Sequence, residues 1–171
     1  MIYVDNAATT KLSDTAKTAM LPYFDEIYGN PSSLHTAGQV AKEALEGARG
    51  RIAALIGAMP SEIIFTSGGS EADNQALLIA AEYGKKHGKA HIVSTAFEHH
   101  AVLHALKKLE KNGFEVTLLD VHKNGIVTAE DVKAAIRPET AAVSVMYANN
   151  EIGTVMPIEE IGAVCREAGV L

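Results

Sequence analysis

An alternation of two hydrophobic periods constrains this chain more than any other feature. Short apolar runs at 62–66, 91–94, 115–119 and 141–147 read as strands. Between them lie stretches whose apolar residues recur every three to four positions, the period of an amphipathic helix. These are 14–24, 36–56, 70–87, 99–112, a segment opening at Thr128, and 158–168. On 70–87 the apolar stripe is Ala72, Ala76, Ile79, Ala80 and Tyr83; on 99–112 it is Val102, Leu103, Leu106 and Leu109. Turn residues punctuate the pattern at Tyr28-Gly29-Asn30-Pro31, at Gly57 and Pro60, at Ser67-Gly68-Gly69 and at Asn124-Gly125. Strands separated by whole helices cannot form hairpins, so they pair in parallel with the helices as crossovers. The expected fold is α/β, a mostly parallel sheet with helices on both faces. After the last helix, Gly169 turns the chain and Val170-Leu171 begin a further strand, which predicts a truncated domain that stops on entering its own core.

Composition narrows the function classes. The 171 residues carry 15 basic and 21 acidic side chains, a net charge of −6, which leaves no basic face for nucleic acid. Hydrophobic residues at 47% against 21% charged are the balance of a globular protein. No apolar run approaches the ~20 residues that span a bilayer. The start, Met1-Ile2-Tyr3-Val4-Asp5, lacks the basic-then-apolar form of a secretory leader. A single cysteine, Cys165, forbids an internal disulfide and any Cys-rich zinc module. The expectation is a cytoplasmic protein with neither nucleic-acid nor membrane partners.

Three polar clusters each follow a strand. The first is Thr66-Ser67-Gly68-Gly69-Ser70-Glu71-Ala72-Asp73-Asn74, where free N–H groups and the positive end of a helix dipole attract an anion such as phosphate. The competing reading is a turn, with Ser70 and Asp73 as a helix cap. It is neither a dinucleotide fingerprint nor a P-loop. The second cluster is Glu98-His99-His100 with His104. His100 and His104, one turn apart, are a possible metal pair lacking a third ligand, and His99 is placed to stack on a planar ligand. The third is Tyr147-Ala148-Asn149-Asn150-Glu151-Ile152-Gly153, either a ligand-binding amide pair or a polar turn. Three such clusters at strand carboxyl ends fit one crevice. Cys165 reads as a packed thiol, and Lys85-Lys86 and Lys107-Lys108 as solvated helix faces.

Taken in order, these clusters resemble the cysteine desulfurases of the NifS/IscS type, pyridoxal-phosphate enzymes of the class V aminotransferase superfamily. The likeness runs from Tyr3-Val4-Asp5-Asn6-Ala7-Ala8-Thr9-Thr10 and Gly29-Asn30-Pro31-Ser32-Ser33 to Asn149-Asn150-Glu151-Ile152-Gly153-Thr154. It implies pyridoxal 5'-phosphate as cofactor, and an incomplete fold-type I large domain. Gly69 and Ser70 would hold the cofactor phosphate. His99 would stack on its ring and help move protons, and Asn150 would bond the ring's phenolic oxygen or the substrate. The loop with Asn30 and His35 would lie near a dimer interface. Residues 1–12 would be an N-terminal segment that can join the small domain, and 13–171 the first part of the large domain.

The implied reaction takes L-cysteine to L-alanine and leaves an enzyme persulfide, whose sulfur passes to a sulfur-acceptor or scaffold protein for iron–sulfur clusters or thio-cofactors. The intact enzyme would be a homodimer. The family's Schiff-base lysine and persulfide cysteine match nothing here: His122-Lys123 precedes Asn150 and Cys165 is misplaced. The isolated chain is therefore expected to release no alanine, and a companion polypeptide would have to supply the remainder. Selenocysteine lyase or another class V aminotransferase is the alternative within the fold. Outside it stand a non-catalytic phosphate-ligand-binding or interaction module and a metal protein using His99, His100 and His104.

Overall fold

The computed structural model describes residues 2–171; Met1, the first residue of the 1–12 segment, lies outside the described residues. The chain forms two compact units, one ending at Phe65 and the other running from Thr66 to Leu171. The first holds α1 (Asp14–Met20), α2 (Pro22–Asp25) and α3 (Thr36–Ile56). The single helix expected over 14–24 is two, because Pro22 lacks an N–H and its ring disfavours a continuous helix. Gly57 ends α3 in the left-handed conformation at φ 68°, which glycine adopts without strain. The loop before α3 is tied down locally. Asn30 Oδ1 accepts from Ser32 N at 2.9 Å, and His35 caps the helix by accepting from Gly38 N at 3.2 Å.

The strand expected over 62–66 is absent. Pro60–Glu62 is a turn of 3-10 helix and 63–66 pairs with no strand among the described residues. Ile64 and Phe65 stay exposed. Instead, the Arg49 guanidinium stands 4.9 Å from the Phe65 ring centroid and donates to the Ile63 carbonyl. An apolar run becomes a strand only where a neighbour offers its backbone groups.

The second unit holds the sheet. β1 (His91–Thr95) is central, with β2 (Glu115–Leu119) and β3 (Thr140–Val143) parallel to it on either side. All five β1 residues are buried, as expected of a strand covered on both faces. β3 is shorter than the 141–147 run; pairing fades after Ser144 N donates to Val93 O at 2.9 Å. α4 (Gly69–Lys86) and α5 (His100–Lys111) cover one face, where Leu77, Ala81, Val102, Leu106 and Leu109 pack on Ile92 and Val116. α6 (Ala129–Ala135) and α7 (Ile158–Ala168) cover the other, where Val132, Ile161 and Cys165 pack near Leu119 and Val143. Thr128 caps α6 as expected, accepting from Asp131 N at 3.2 Å. Leu171 exchanges backbone hydrogen bonds with Ala141 and Val143, so Val170-Leu171 do extend the sheet beside β3. No helix among the described residues is long and apolar enough to cross a membrane.

Candidate functional site

Topology marks one place on this sheet. From β1 the chain departs to α5 on one face, whereas from β3 it departs to α7 on the other. Adjacent parallel strands whose connections leave in opposite directions open a crevice at their carboxyl ends, the usual ligand site of such sheets. Residues 96–99 and 144–152 follow the carboxyl ends of β1 and β3, and the start of α4 is bonded to that of α5 there.

At the start of α4 the residues keep their polar groups free. The N–H groups of Gly68, Gly69 and Ser70 meet no acceptor among the described residues. A Cβ built at Gly68 or Gly69 would meet nothing within 4 Å, so a ligand can approach this backbone closely. The helix cap is Gly68, with no side-chain bond; the cap by Ser70 and Asp73 does not form. Glu71 instead reaches back, its Oε2 accepting from Ser67 N at 2.7 Å and Ser67 Oγ at 2.6 Å. Those bonds hold the Glu71 carboxyl below its ordinary value.

His99 is the exposed N-cap of α5. Its Nδ1 accepts from Ala101 N at 3.1 Å, which leaves the hydrogen of the neutral ring on Nε2. His100 and His104 stack at 5.7 Å between centroids, and no group of three metal-ligating side chains occurs among the described residues. The third cluster is a small hairpin, with Ala148 bridged to Val155 and Gly153 at φ 74° closing the turn. Its two asparagines separate. Asn150 is exposed and donates to Glu151 Oε1 at 3.1 Å. Asn149 is buried, its Oδ1 accepting from Glu151 N and Ile152 N at 2.9 and 3.0 Å.

Asn74, Glu98 and Asn149 connect these segments. Asn74 Nδ2 donates to Ser70 O at 2.7 Å and to Ala101 O at 3.3 Å, joining the starts of α4 and α5. Glu98 Oε1 accepts from Met146 N at 2.7 Å and from Thr95 Oγ1 at 2.8 Å. Burial raises the Glu98 carboxyl above its ordinary value, against the pull of those two donors. Asn149 Nδ2 donates to Phe97 O at 3.2 Å. Gly69 and Ser70, His99 and Asn150 therefore sit on three segments tied to one another at one end of the sheet. A glutamate directly before a histidine and a doubled asparagine are the sequence signs of these ties.

The chain matches the family model described as Aminotransferase class-V over residues 2–171. It belongs to that family. A cysteine desulfurase IscS of Clostridium botulinum (strain Kyoto / Type A2) is 50% identical over 169 residues, which are 99% of this chain and 42% of the relative. Among solved structures, a NifS-like protein superposes with a TM-score of 0.92 at 38% identity over 98% of this chain and 46% of its own. A structure described as SspA in complex with cysteine gives 0.91 at 39%, over 98% of this chain and 48% of its own. The chain thus spans somewhat under half the length of the relatives it matches. Family membership brings a test of fit for pyridoxal phosphate, a planar ring bearing a phosphate. Three free N–H groups and a serine hydroxyl at a helix N-terminus, with open space where two Cβ atoms would stand, suit the phosphate. An exposed imidazole and an exposed amide suit the ring.

Other residues stay outside. His122 Nε2 lies 2.8 Å from Asp131 Oδ2, the carboxylate that also takes the Thr128 donors and is held down to about 2. His122 thus belongs to the cap of α6. Cys165 is buried between α6 and α7, and burial pushes its thiol up. The Arg166 charge pulls the other way but is outweighed by burial.

Proposed function

We propose that this chain is the cofactor-binding part of a pyridoxal-phosphate-dependent cysteine desulfurase, which takes L-cysteine to L-alanine and hands the sulfur to an acceptor or scaffold protein. The whole enzyme is a cytoplasmic homodimer in this reading, with residues 13–171 in its large domain and the lysine and thiolate on further chain. The observation that carries it is the free N–H triplet at the start of α4, tied to the His99 and Asn150 segments at the sheet's switch point. Pyridoxal phosphate, when bound, supplies an electron sink for the charge left when an amino acid's Cα–H bond breaks.

This chain's own residues do the following. Gly69 and Ser70 donate to the phosphate, where the α4 dipole adds to the attraction. His99 covers the ring on one side and keeps water from it. With Nδ1 committed to Ala101, Nε2 is the atom through which it moves a proton. Asn150 turns its amide from Glu151 to the phenolic oxygen. Calorimetric titration of the chain with pyridoxal 5'-phosphate tests the reading. S70A and H99A should each weaken binding about tenfold, the cost of losing a charge-assisted hydrogen bond or a stacking face. Undiminished affinity in both variants would overturn it.

A further inference from the structure

The segments carrying His99 and Asn150 are joined by hydrogen bonds that involve neither residue. β1 and β3 stop pairing at the Ser144-to-Val93 bond, and beyond it their chains part toward opposite faces of the sheet. Glu98, from the first segment, accepts from the Met146 N–H of the second at 2.7 Å. Asn149, from the second, donates to the Phe97 carbonyl of the first at 3.2 Å. Each is 7% exposed, and each directly precedes one of the two exposed residues.

One such bond would act as a pivot. Two, each from one segment's side chain to the other's backbone and attached to the second segment three positions apart at Met146 and Asn149, fix both the separation and the rotation of the segments. Each clasp residue is also anchored on its own side, Glu98 to Thr95 Oγ1 and Asn149 to Glu151 N and Ile152 N. Buried hydrogen bonds of this kind are stiff, because breaking one strands a polar group away from water.

We propose that Glu98 and Asn149 form a reciprocal clasp that sets the spacing of His99 and Asn150, so that both reach one planar ligand. They are positioning residues. The proposal rests on the reading of His99 and Asn150 as ring contacts, and its test separates the two. The chain is titrated with pyridoxal 5'-phosphate and, in parallel, with inorganic phosphate, which tests the α4 cradle alone. The quantity of interest is the preference for the first over the second.

E98L removes the acceptor; N149D keeps the Oδ1 acceptor but sets an oxygen against the Phe97 carbonyl. Each should cut the preference about tenfold, the penalty of one unpaired buried polar group, while phosphate affinity stays unchanged. E98Q retains an Oε1 for Met146 and Thr95 and should restore the preference. A merely structural role would lower both affinities together, and that outcome overturns the proposal, as does a full preference in E98L and N149D. Should E98L not fold, N149D decides alone. A wild-type chain with no preference, unaltered by H99A, would instead overturn the ring contacts and the clasp with them.

Discussion

His91 opens the central strand at 1% exposure, with Nδ1 2.8 Å from Thr140 Oγ1 and Nε2 2.9 Å from Thr117 Oγ1. Burial is the main cause that lowers its pKa below the ordinary 6.5, with the Arg137 charge adding to it and Glu115 and Glu139 opposing. The unfolded chain therefore binds this proton more readily than the folded one. The stability His91 contributes is complete above about pH 6.5 and is lost as pH falls from there. Glu98 works in the opposite sense: with its folded value raised, its contribution is held below the ordinary 4.5 and lost as pH rises above it. Urea unfolding from pH 8 down to pH 5.5 should show a decline that H91F flattens; an unaltered slope in H91F would assign the decline elsewhere. Asn149 and Asn150 are identical letters side by side, and only the hairpin's fold buries one and exposes the other.

Among the elements, α4 shows how close packing hides from periodicity. The stripe expected at Ala72, Ala76, Ile79, Ala80 and Tyr83 is not its buried face: Leu77, Ala81 and Gly84 are in the core, while Ile79 and Tyr83 are about half exposed. Gly84 is the tightest point: a Cβ there would stand 2.3 Å from Ala141 Cβ and 3.1 Å from Lys89 O. The helix can lie against β3 only because that position has no side chain. G84A should thus destabilise the second unit by about 1–3 kcal/mol through overpacking, although alanine is the better helix former. Thermal or urea unfolding checks the sign; a stabilised G84A would mean that α4 lies further from β3. The helices over 36–56 and 158–168 were legible to the residue, since a left-handed glycine ends each. The run at 62–66 forms no strand, because a strand requires a partner that its own sequence does not encode.

For the molecule as a whole, the exposed apolar surface is extensive. Ile79 at 54%, Tyr83 at 53% and Leu171 at 60% exposure line one open cavity of about 320 Å³ with Ala76 and Ala80. Contiguous apolar surface of this kind promotes association in water. Sedimentation velocity should show the isolated 171 residues self-associating as concentration rises, and a monodisperse monomer at high concentration would contradict this. The alternation of periods by itself determined the class of fold, and the glycine, asparagine and histidine clusters determined which ends of the strands bear polar groups, because both are local properties of chain geometry. Only the tertiary structure decided which apolar runs found a neighbour, which polar residues became buried ties and which stayed free. Those outcomes depend on hydrogen-bond partners and desolvation supplied by segments up to some fifty residues away, as from Phe97 to Asn149.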